Sequence, residues 1–152
     1  MCTSFMGELL TATHNFGTAP TRGTSAADTF KAALYLTSAT IDAATTAYTV
    51  SGEVSGAGYS AGGVTVTNAN PPTATNASAT AGVAFFTPSA SLVYTSVTLT
   101  TAFDAVLIYN STQSDKAVSV HTFGAQTITA GTFTLTMPAN TTSTALLRLA
   151  TT

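Results

Sequence analysis

The fold of this chain is decided by residues 105–124, whose sequence is AVLIYNSTQSDKAVSVHTFG. The first five residues are all apolar, which is typical of a β-strand covered on both faces. Residues 118–121 then alternate Val-Ser-Val-His, the period-2 pattern of a strand with one more polar face. Between the two runs, residues 110–115 are polar side chains that favour turns. The segment therefore predicts a β-hairpin through the middle of a sheet.

Segments on both sides of this hairpin extend the β pattern. Short apolar or alternating runs recur between Gly, Pro and Asn residues, at residues 30–36, 47–50, 64–67, 83–86, 92–100, 132–137 and 145–149. Ser25–Asp28 resembles a helix capping box, but the alternation of Phe30–Leu36 favours a strand. Two prolines exclude residues 68–82 from a sheet interior, and this stretch is predicted to be a long loop or hairpin tip. The pattern predicts an all-β fold, a two-sheet sandwich or jelly roll of about eight short strands.

The size and the distribution of glycine divide the chain into an arm and one domain. A chain of 152 residues is one domain by length. Residues 1–25 contain three glycines and a proline and few periodic apolar positions, which predicts an extended N-terminal arm before a β-sandwich domain at residues 26–152. We expect the arm to dock on a partner surface through its apolar side chains, which are Phe5, Leu9, Leu10 and Phe16.

The scarcity of charge is the strongest compositional signal. Only 7% of residues are charged, against about 25% in a typical soluble domain, and the chain instead has 34 threonines and 27 alanines. The outer surface is either a bland hydroxyl-rich β surface or one that an assembly covers, since interface cores are depleted in Lys, Glu and Asp. A net charge of −2 gives weak protection against association and favours the assembly. Four basic residues make no patch suited to nucleic acid.

The remaining sequence signals concern processing and membranes. Cys2 is the only cysteine, which excludes an intramolecular disulfide and a cysteine-based zinc site. No basic segment followed by an apolar run opens the chain, and nowhere do about 18 apolar residues occur in succession. We expect a soluble, unprocessed chain without a membrane partner.

Titratable residues are few and scattered. His14, His121, Glu53 and Asp104 are the candidates, and no two of them stand in a motif that couples an acid or a base to a reacting group. A site that uses both histidines stays open. No cluster of metal ligands is visible. The expectation is a protein that is not an enzyme, with no catalytic residue, cofactor or metal.

A glycine-rich segment imitates a nucleotide-binding motif. Residues 56–61, Gly-Ala-Gly-Tyr-Ser-Ala, fit the loose dinucleotide pattern GxGxxA. That motif requires a helix after it, whose N-terminus holds the pyrophosphate, whereas a second glycine pair and a strand-like run follow here. We interpret the segment as a loop that uses glycine for positive φ angles.

Several segments together resemble a known class of proteins. They are Asp28–Tyr35, Thr45–Tyr48, Gly52–Gly63, Ala105–Asn110 and Ala145–Ala150, and in this order they resemble small virion structural proteins of tailed bacteriophages. The resemblance implies a capsid cement or decoration protein, a β-sandwich that binds over the joints between major capsid subunits. Its partners would then be the major capsid protein and other copies of itself. Its place would be the capsid surface of the virion, after assembly in the cytoplasm of the host bacterium. The alternative is a tail or fibre component that binds a host surface glycan.

Overall fold

The structure, a computed structural model, describes residues 1–10, 13–16, 27–67, 72–75 and 82–150, except the side chains of Thr3, Met6, Gly7 and Leu10. Within these ranges the chain forms one helix and seven strands. They are α1 (Thr3–Leu10), β1 (Phe30–Leu36), β2 (Val64–Thr65), β3 (Thr73–Thr75), β4 (Val83–Phe86), β5 (Leu92–Asn110), β6 (Lys116–Leu135) and β7 (Leu147–Ala150). The strands form two antiparallel sheets, so the predicted all-β, two-sheet class is confirmed.

The chain divides into two compact units that interleave in sequence. The first comprises residues 1–14, 28–66 and 92–135 and contains the four-stranded sheet, in the order β2-β1-β5-β6. The second comprises residues 15–27, 67–91 and 136–152 and contains the three-stranded sheet, in the order β3-β4-β7. The predicted boundary between residues 25 and 26 lies outside the described residues.

The core of the first unit lies along β1 and the adjoining half of β5. Four consecutive residues of β1, Ala32–Tyr35, are fully buried, and every residue of Ala105–Asn110 is at most 4% exposed. The two strands pair antiparallel, with Phe30 opposite Asn110 and Leu34 opposite Val106. Burial of successive residues means that both faces of this part of the sheet are covered, as the unbroken apolar run predicted.

The predicted hairpin is confirmed, but its predicted position is wrong: only its first arm, in β5, lies inside the sheet, whereas its second arm, in β6, is an edge strand. Side chains build the turn between the two arms. The Oδ1 atom of Asn110 accepts hydrogen bonds from the backbone N–H groups of Thr112 (3.1 Å) and Gln113 (3.2 Å). Ser114 and Asp115 follow with φ angles of 53° and 56°. Asp tolerates this left-handed conformation better than most residues, because its short polar side chain can bond locally.

The hairpin is much longer than predicted. The runs at residues 92–100 and 105–109 are one 19-residue strand, β5, and the runs at 118–121 and 132–137 belong to the 20-residue strand β6. At the expected breaks the strands instead continue through shifts of register, between Leu99 and Phe103 and between Phe103 and Ala105 on β5, and opposite Val97–Leu99 on β6. Another shift lies between Tyr94 and Val97. Ser96 (φ 54°) and Ala130 (φ 47°) lie at these shifts. Bulges of this kind bend a strand without ending it.

The glycine-rich segment packs its backbone against neighbouring strands, which supports its interpretation as a loop. Ala57 bridges Thr98 of β5, whose N–H donates to the Ala57 carbonyl at 2.8 Å. A Cβ atom at Gly56 or Gly58 would collide with the backbone carbonyls of Thr98 and Ser96 respectively. Strand β2 follows this loop, where a dinucleotide site would need a helix.

The N-terminal segment differs from the prediction of an extended arm. Thr3–Leu10 forms helix α1. Cys2 is fully buried, and its backbone N–H donates to the Val118 carbonyl of β6 at 2.9 Å. Helix formation here depends on packing, because eight residues are too few for a helix that is stable by itself. Residues 1–14 therefore belong to the first compact unit.

The second unit is smaller and has short strands. Strand β4 pairs with β3 on one side and β7 on the other, with Phe86 opposite Leu147. Strand β3 lies in the stretch predicted to be a loop, but as an edge strand directly after Pro72, a position that proline permits. The ring of Phe16 packs against that of Phe86, with centroids 5.1 Å apart.

Candidate functional site

The apolar side chains that were predicted to dock on a partner are already partly covered within the chain. Phe5 is 2% exposed, and its ring lies 4.8 Å from that of His14. Phe16 contacts Phe86 in the second unit, and Leu9 is half-buried. The Leu10 side chain lies outside the described residues. Phe5 and Phe16 thus have intramolecular contacts, and docking of these side chains on a partner stays a prediction.

A buried polar network joins the N-terminal segment to the hairpin turn. The Glu8 carboxylate accepts from Lys116 Nζ at 2.7 Å through Oε1 and from His14 Nε2 at 2.8 Å through Oε2. Asn110, which is fully buried, donates through Nδ2 to Asp28 Oδ2 at 2.7 Å. The same Nδ2 atom lies 3.0 Å from His14 Nδ1. We call these five residues the His14 network.

Hydrogen-bond accounting fixes the proton on His14. Asn110 Oδ1 already accepts two backbone N–H groups, so the Asn110 atom that faces His14 is the Nδ2 donor. His14 Nδ1 must therefore accept, and its proton lies on Nε2, which donates to Glu8. Both ring nitrogens are engaged and the side chain is fully buried. The histidine has no nitrogen left to act as an acid or base on a substrate.

Opposing effects set the ionisation of Glu8. Burial disfavours its charged form, but the hydrogen bonds from Lys116 and His14 outweigh burial and lower the pKa of Glu8 below its usual value. The network is therefore held by a carboxylate that stays ionised at neutral pH.

A second polar network surrounds Glu53, which is also buried. Its Oε2 accepts from the Tyr48 hydroxyl at 2.7 Å, and its Oε1 accepts at 2.7 Å from both the Tyr59 hydroxyl and the Gly62 N–H. Three donors satisfy the carboxylate, which is the usual condition for a charge to be buried. We call this the Glu53 network.

All five tyrosines of the chain have their phenol groups in this region or beside it. Tyr59 stacks on Tyr94 and Tyr48 on Tyr109, with centroids 6.0 Å and 4.6 Å apart. Burial, together with the hydrogen bonds to Glu53, raises the pKa of Tyr48 and Tyr59. Burial also raises the pKa of Tyr94, and it raises that of Tyr109 to about 12. These tyrosines are neutral hydrogen-bond donors over the whole physiological range.

The remaining titratable candidates do not join either network. His121 lies on β6, where its Nε2 is 2.9 Å from Ser119 Oγ. Burial and the positive N-terminus lower the pKa of His121. Asp104 is half-buried on β5. Among the residues that the structure describes, no three His, Cys, Asp or Glu side chains converge as a metal site would require. Within the same ranges, no helix has the length and apolar character needed to cross a membrane.

The far half of the hairpin, residues 92–103 and 122–135, contains no charged residue. One face of it holds an aromatic cluster, in which Phe103, Phe123 and Phe133 contact one another at 5.1–6.0 Å. The exposed positions carry mostly small hydroxyl, methyl or glycine groups, and on β6 these are Thr122, Gly124, Ala125, Thr127, Thr129, Ala130, Thr132 and Thr134. This uncharged hairpin surface is the candidate functional site.

A small cleft lies in the same unit. It has a volume of about 160 Å³ and is lined by glycine, tyrosine, serine, threonine and valine residues, among them Tyr59, Tyr94 and Val93. The Tyr59 hydroxyl is bonded to Glu53 and to the Leu34 N–H, so it cannot also bind a ligand strongly. The lining carries no carboxylate or amide side chain to orient a polar ligand.

Sequence reasoning found the low charge but missed the two networks. His14 and Asn110 are 96 residues apart and meet only through the tertiary fold. The available signal was Asn110 itself, a polar residue directly at the end of an unbroken apolar strand, where a buried amide needs partners. Comparison with protein-family models, with curated proteins and with solved structures finds no match for this chain.

Proposed function

We propose that the chain is a structural assembly protein of a virion, and specifically a capsid cement protein that binds over joints between major capsid subunits. The single observation that carries this proposal is the uncharged hairpin surface. Interface cores are depleted in Lys, Glu and Asp, and this surface has none over two long strand segments.

The distribution of the few charges supports the same proposal. Glu8 and Lys116 pair with each other, Asp28 bonds Asn110, and Glu53 bonds tyrosines. Half of the chain's acidic residues thus serve internal structure rather than solubility. A protein with so little surface charge associates readily with itself and with other surfaces in solution. The same property suits a subunit of a permanent assembly.

The buried networks support a structural role rather than catalysis. In each of them the acid or base is hydrogen-bonded by neighbours of its own chain: both ring nitrogens of His14 are engaged, and three donors bind the Glu53 carboxylate. Catalysis needs a group within reach of a substrate. We infer that these networks stabilise the fold of a non-enzymatic protein.

The resemblance to small virion proteins of tailed bacteriophages decides which assembly we propose. On this resemblance, the uncharged hairpin surface binds the major capsid protein and neighbouring copies of the chain on the capsid. A tail or fibre component that binds host glycan is the second candidate, and the cleft beside Tyr59 and Tyr94 is the place where a sugar ring would fit. The cleft's lack of carboxylates and amides makes this the weaker candidate.

Copy number separates the two candidates. Quantitative mass spectrometry of purified particles of the phage that encodes the chain should find it at a fixed ratio to the major capsid protein, in hundreds of copies per particle. A handful of copies per particle would favour the tail candidate. Absence from purified particles would overturn the virion proposal altogether.

A further inference from the structure

Three of the four sheet edges in the described structure are protected by shortness, whereas the fourth, β6, is long and is interrupted only by shifts of register, at residues 122–126 and 128–131. Exposed edge strands invite pairing with other chains, and proteins blunt them by shortness, charge or proline. The edge strands β2, β3 and β7 have two, three and four residues. In addition, β3 follows Pro72 and β7 carries the exposed Arg148. The fourth edge strand, β6, has 20 residues and no charge beyond Lys116, except when His121 is protonated.

Among the residues that the structure describes, those that cover the outer edge of β6 bind only its start. The Val118 carbonyl accepts from Cys2, and the Ala117 N–H donates to the Thr46 carbonyl. From His121 to Leu135, no described residue outside β5 and β6 makes a backbone hydrogen bond to the strand. Within the described ranges, one side chain bonds a carbonyl of this stretch: Gln126 Nε2 donates to Gly124 at 3.1 Å.

The register shows which groups point outward. The Thr98 N–H of β5 donates to Ala57, on the side away from β6, so the backbone groups of its neighbour Leu99 face β6. Leu99 pairs with Ile128, and the backbone groups of Thr127 and Thr129 therefore point away from the sheet. These two residues lie in the middle of the uncovered edge.

We propose that the β6 edge of one copy pairs antiparallel with the β6 edge of a second copy, so that the two four-stranded sheets join into one. The stretch from His121 to Leu135 is about 50 Å long at about 3.3 Å per residue. Two such edges in contact over a band about 10 Å deep bury on the order of 1,000 Å² in total, the lower limit for a specific interface.

A second copy is the occupant that this edge fits best. A two-fold axis brings the same row of N–H and C=O groups against itself in antiparallel order, so the edge is complementary to its own copy. No charge repels the second copy, because the stretch has no acidic or permanently basic residue. The exposed threonine, alanine and glycine side chains are small enough for the two strands to approach. The edge has no charged group that would select a different protein.

The test compares two lysine substitutions on the same hairpin. Thr129→Lys places a charge on the outer edge strand, whereas Thr100→Lys places one at an exposed position of β5, which β6 separates from the proposed contact. Sedimentation equilibrium should show a dimer of the wild type that Thr129→Lys weakens at least about tenfold, since like charges then face each other across the two-fold axis. Thr100→Lys should leave the dimer unchanged. Thr127→Pro, which removes an outward N–H without adding charge, should weaken it as well.

Hydrogen exchange locates the contact. The amides of residues 127 and 129 should become protected as the wild-type concentration rises, and in Thr129→Lys the same protection should require at least about tenfold higher concentration. A wild type that is monomeric at about 0.1 mM, well above the Kd expected of a specific interface of this size, would overturn the proposal. Equal weakening by both lysine substitutions would also overturn it, in favour of contact through the face of the hairpin. Neither result bears on the copy-number test, so failure of the pairing and failure of the cement function are distinguishable.

Discussion

Asn110 links the N-terminal segment to the hairpin turn through a single buried amide. Its Nδ2 donates to Asp28, and its Oδ1 holds the turn. In Asn110→Asp an oxygen would face the Asp28 carboxylate where a donor now stands. We expect a loss of about 2–4 kcal/mol in the free energy of unfolding at neutral pH, measured by urea denaturation.

The matched control for this substitution is Gln126→Glu, the same amide-to-acid change at an exposed position on β6. It should change the free energy of unfolding by less than about 0.5 kcal/mol. The deficit of Asn110→Asp should shrink in acid, where protonation of either carboxyl restores a donor. An Asn110→Asp protein as stable as the control would show that the His14 network contributes little.

The tyrosines make stability depend on pH at the alkaline end. Their pKa values are raised in the folded state, so above about pH 10 the unfolded chain loses phenolic protons that the folded chain retains. Stability therefore falls as pH rises from about 10, by about 1.4 kcal/mol per pH unit for the buried Tyr94. Phenolate absorbance should rise abruptly together with unfolding. A gradual titration centred near pH 10 in a protein that is still folded would contradict this.

At the scale of elements, the glycine-rich loop depends on backbone approaches that only glycine permits. Gly63 has a φ angle of 71°, and a Cβ atom there would collide with the Ala32 carbonyl of β1. Gly63→Ala should lower the free energy of unfolding by about 3 kcal/mol or more. Gly124→Ala on β6 is the control, because no atom lies within 4 Å of its Cβ position. Thermal unfolding of the two variants checks the prediction, and similar midpoints would contradict it.

The strands themselves could be predicted where burial follows a simple period. Residues 30–36 and 105–109 alternate or run apolar, and both form strands at the centre of the sheet. The continuity of β5 and β6 could not be predicted, because it depends on shifts of register between Leu99 and Ala105 and at Ala130, and alanine is not a residue type that signals positive φ. Helix α1 was missed for a related reason: its residues are helical because they pack on the first unit, not because of a long periodic pattern.

The candidate site was predictable in its chemistry but not in its position. Low charge and abundant threonine are visible in composition alone. The position of the site could not be predicted, because the charge-free residues meet in one hairpin only through pairing between distant segments, such as Leu92 with Leu135. The Glu53 network could not be predicted either, because it forms only when the loop folds back and places Tyr59 and Gly62 against the Glu53 carboxylate.

At the scale of the whole molecule, residues 1–14 belong to the first unit, and Phe5 lies in its core. Phe5→Ala should therefore lower the free energy of unfolding by about 3–5 kcal/mol, the usual cost of truncating a buried phenylalanine. Val50→Ala, at a side chain that is 69% exposed, is the control and should cost less than about 0.5 kcal/mol. Chemical denaturation of the two variants measures the difference in their free energies of unfolding. A small effect of Phe5→Ala would restore the view that this segment serves only a partner.

Because of where the tyrosines lie, intrinsic fluorescence can follow one of the two units separately. The chain has no tryptophan, and Tyr35, Tyr48, Tyr59, Tyr94 and Tyr109 all lie in the first unit, while the second has neither residue type. Tyrosine fluorescence therefore reports unfolding of the four-stranded sheet alone, whereas far-ultraviolet circular dichroism reports both sheets. Coincident curves from the two probes would mean that the interleaved units unfold as one cooperative body, and separated curves would give the stability of each without cutting the chain.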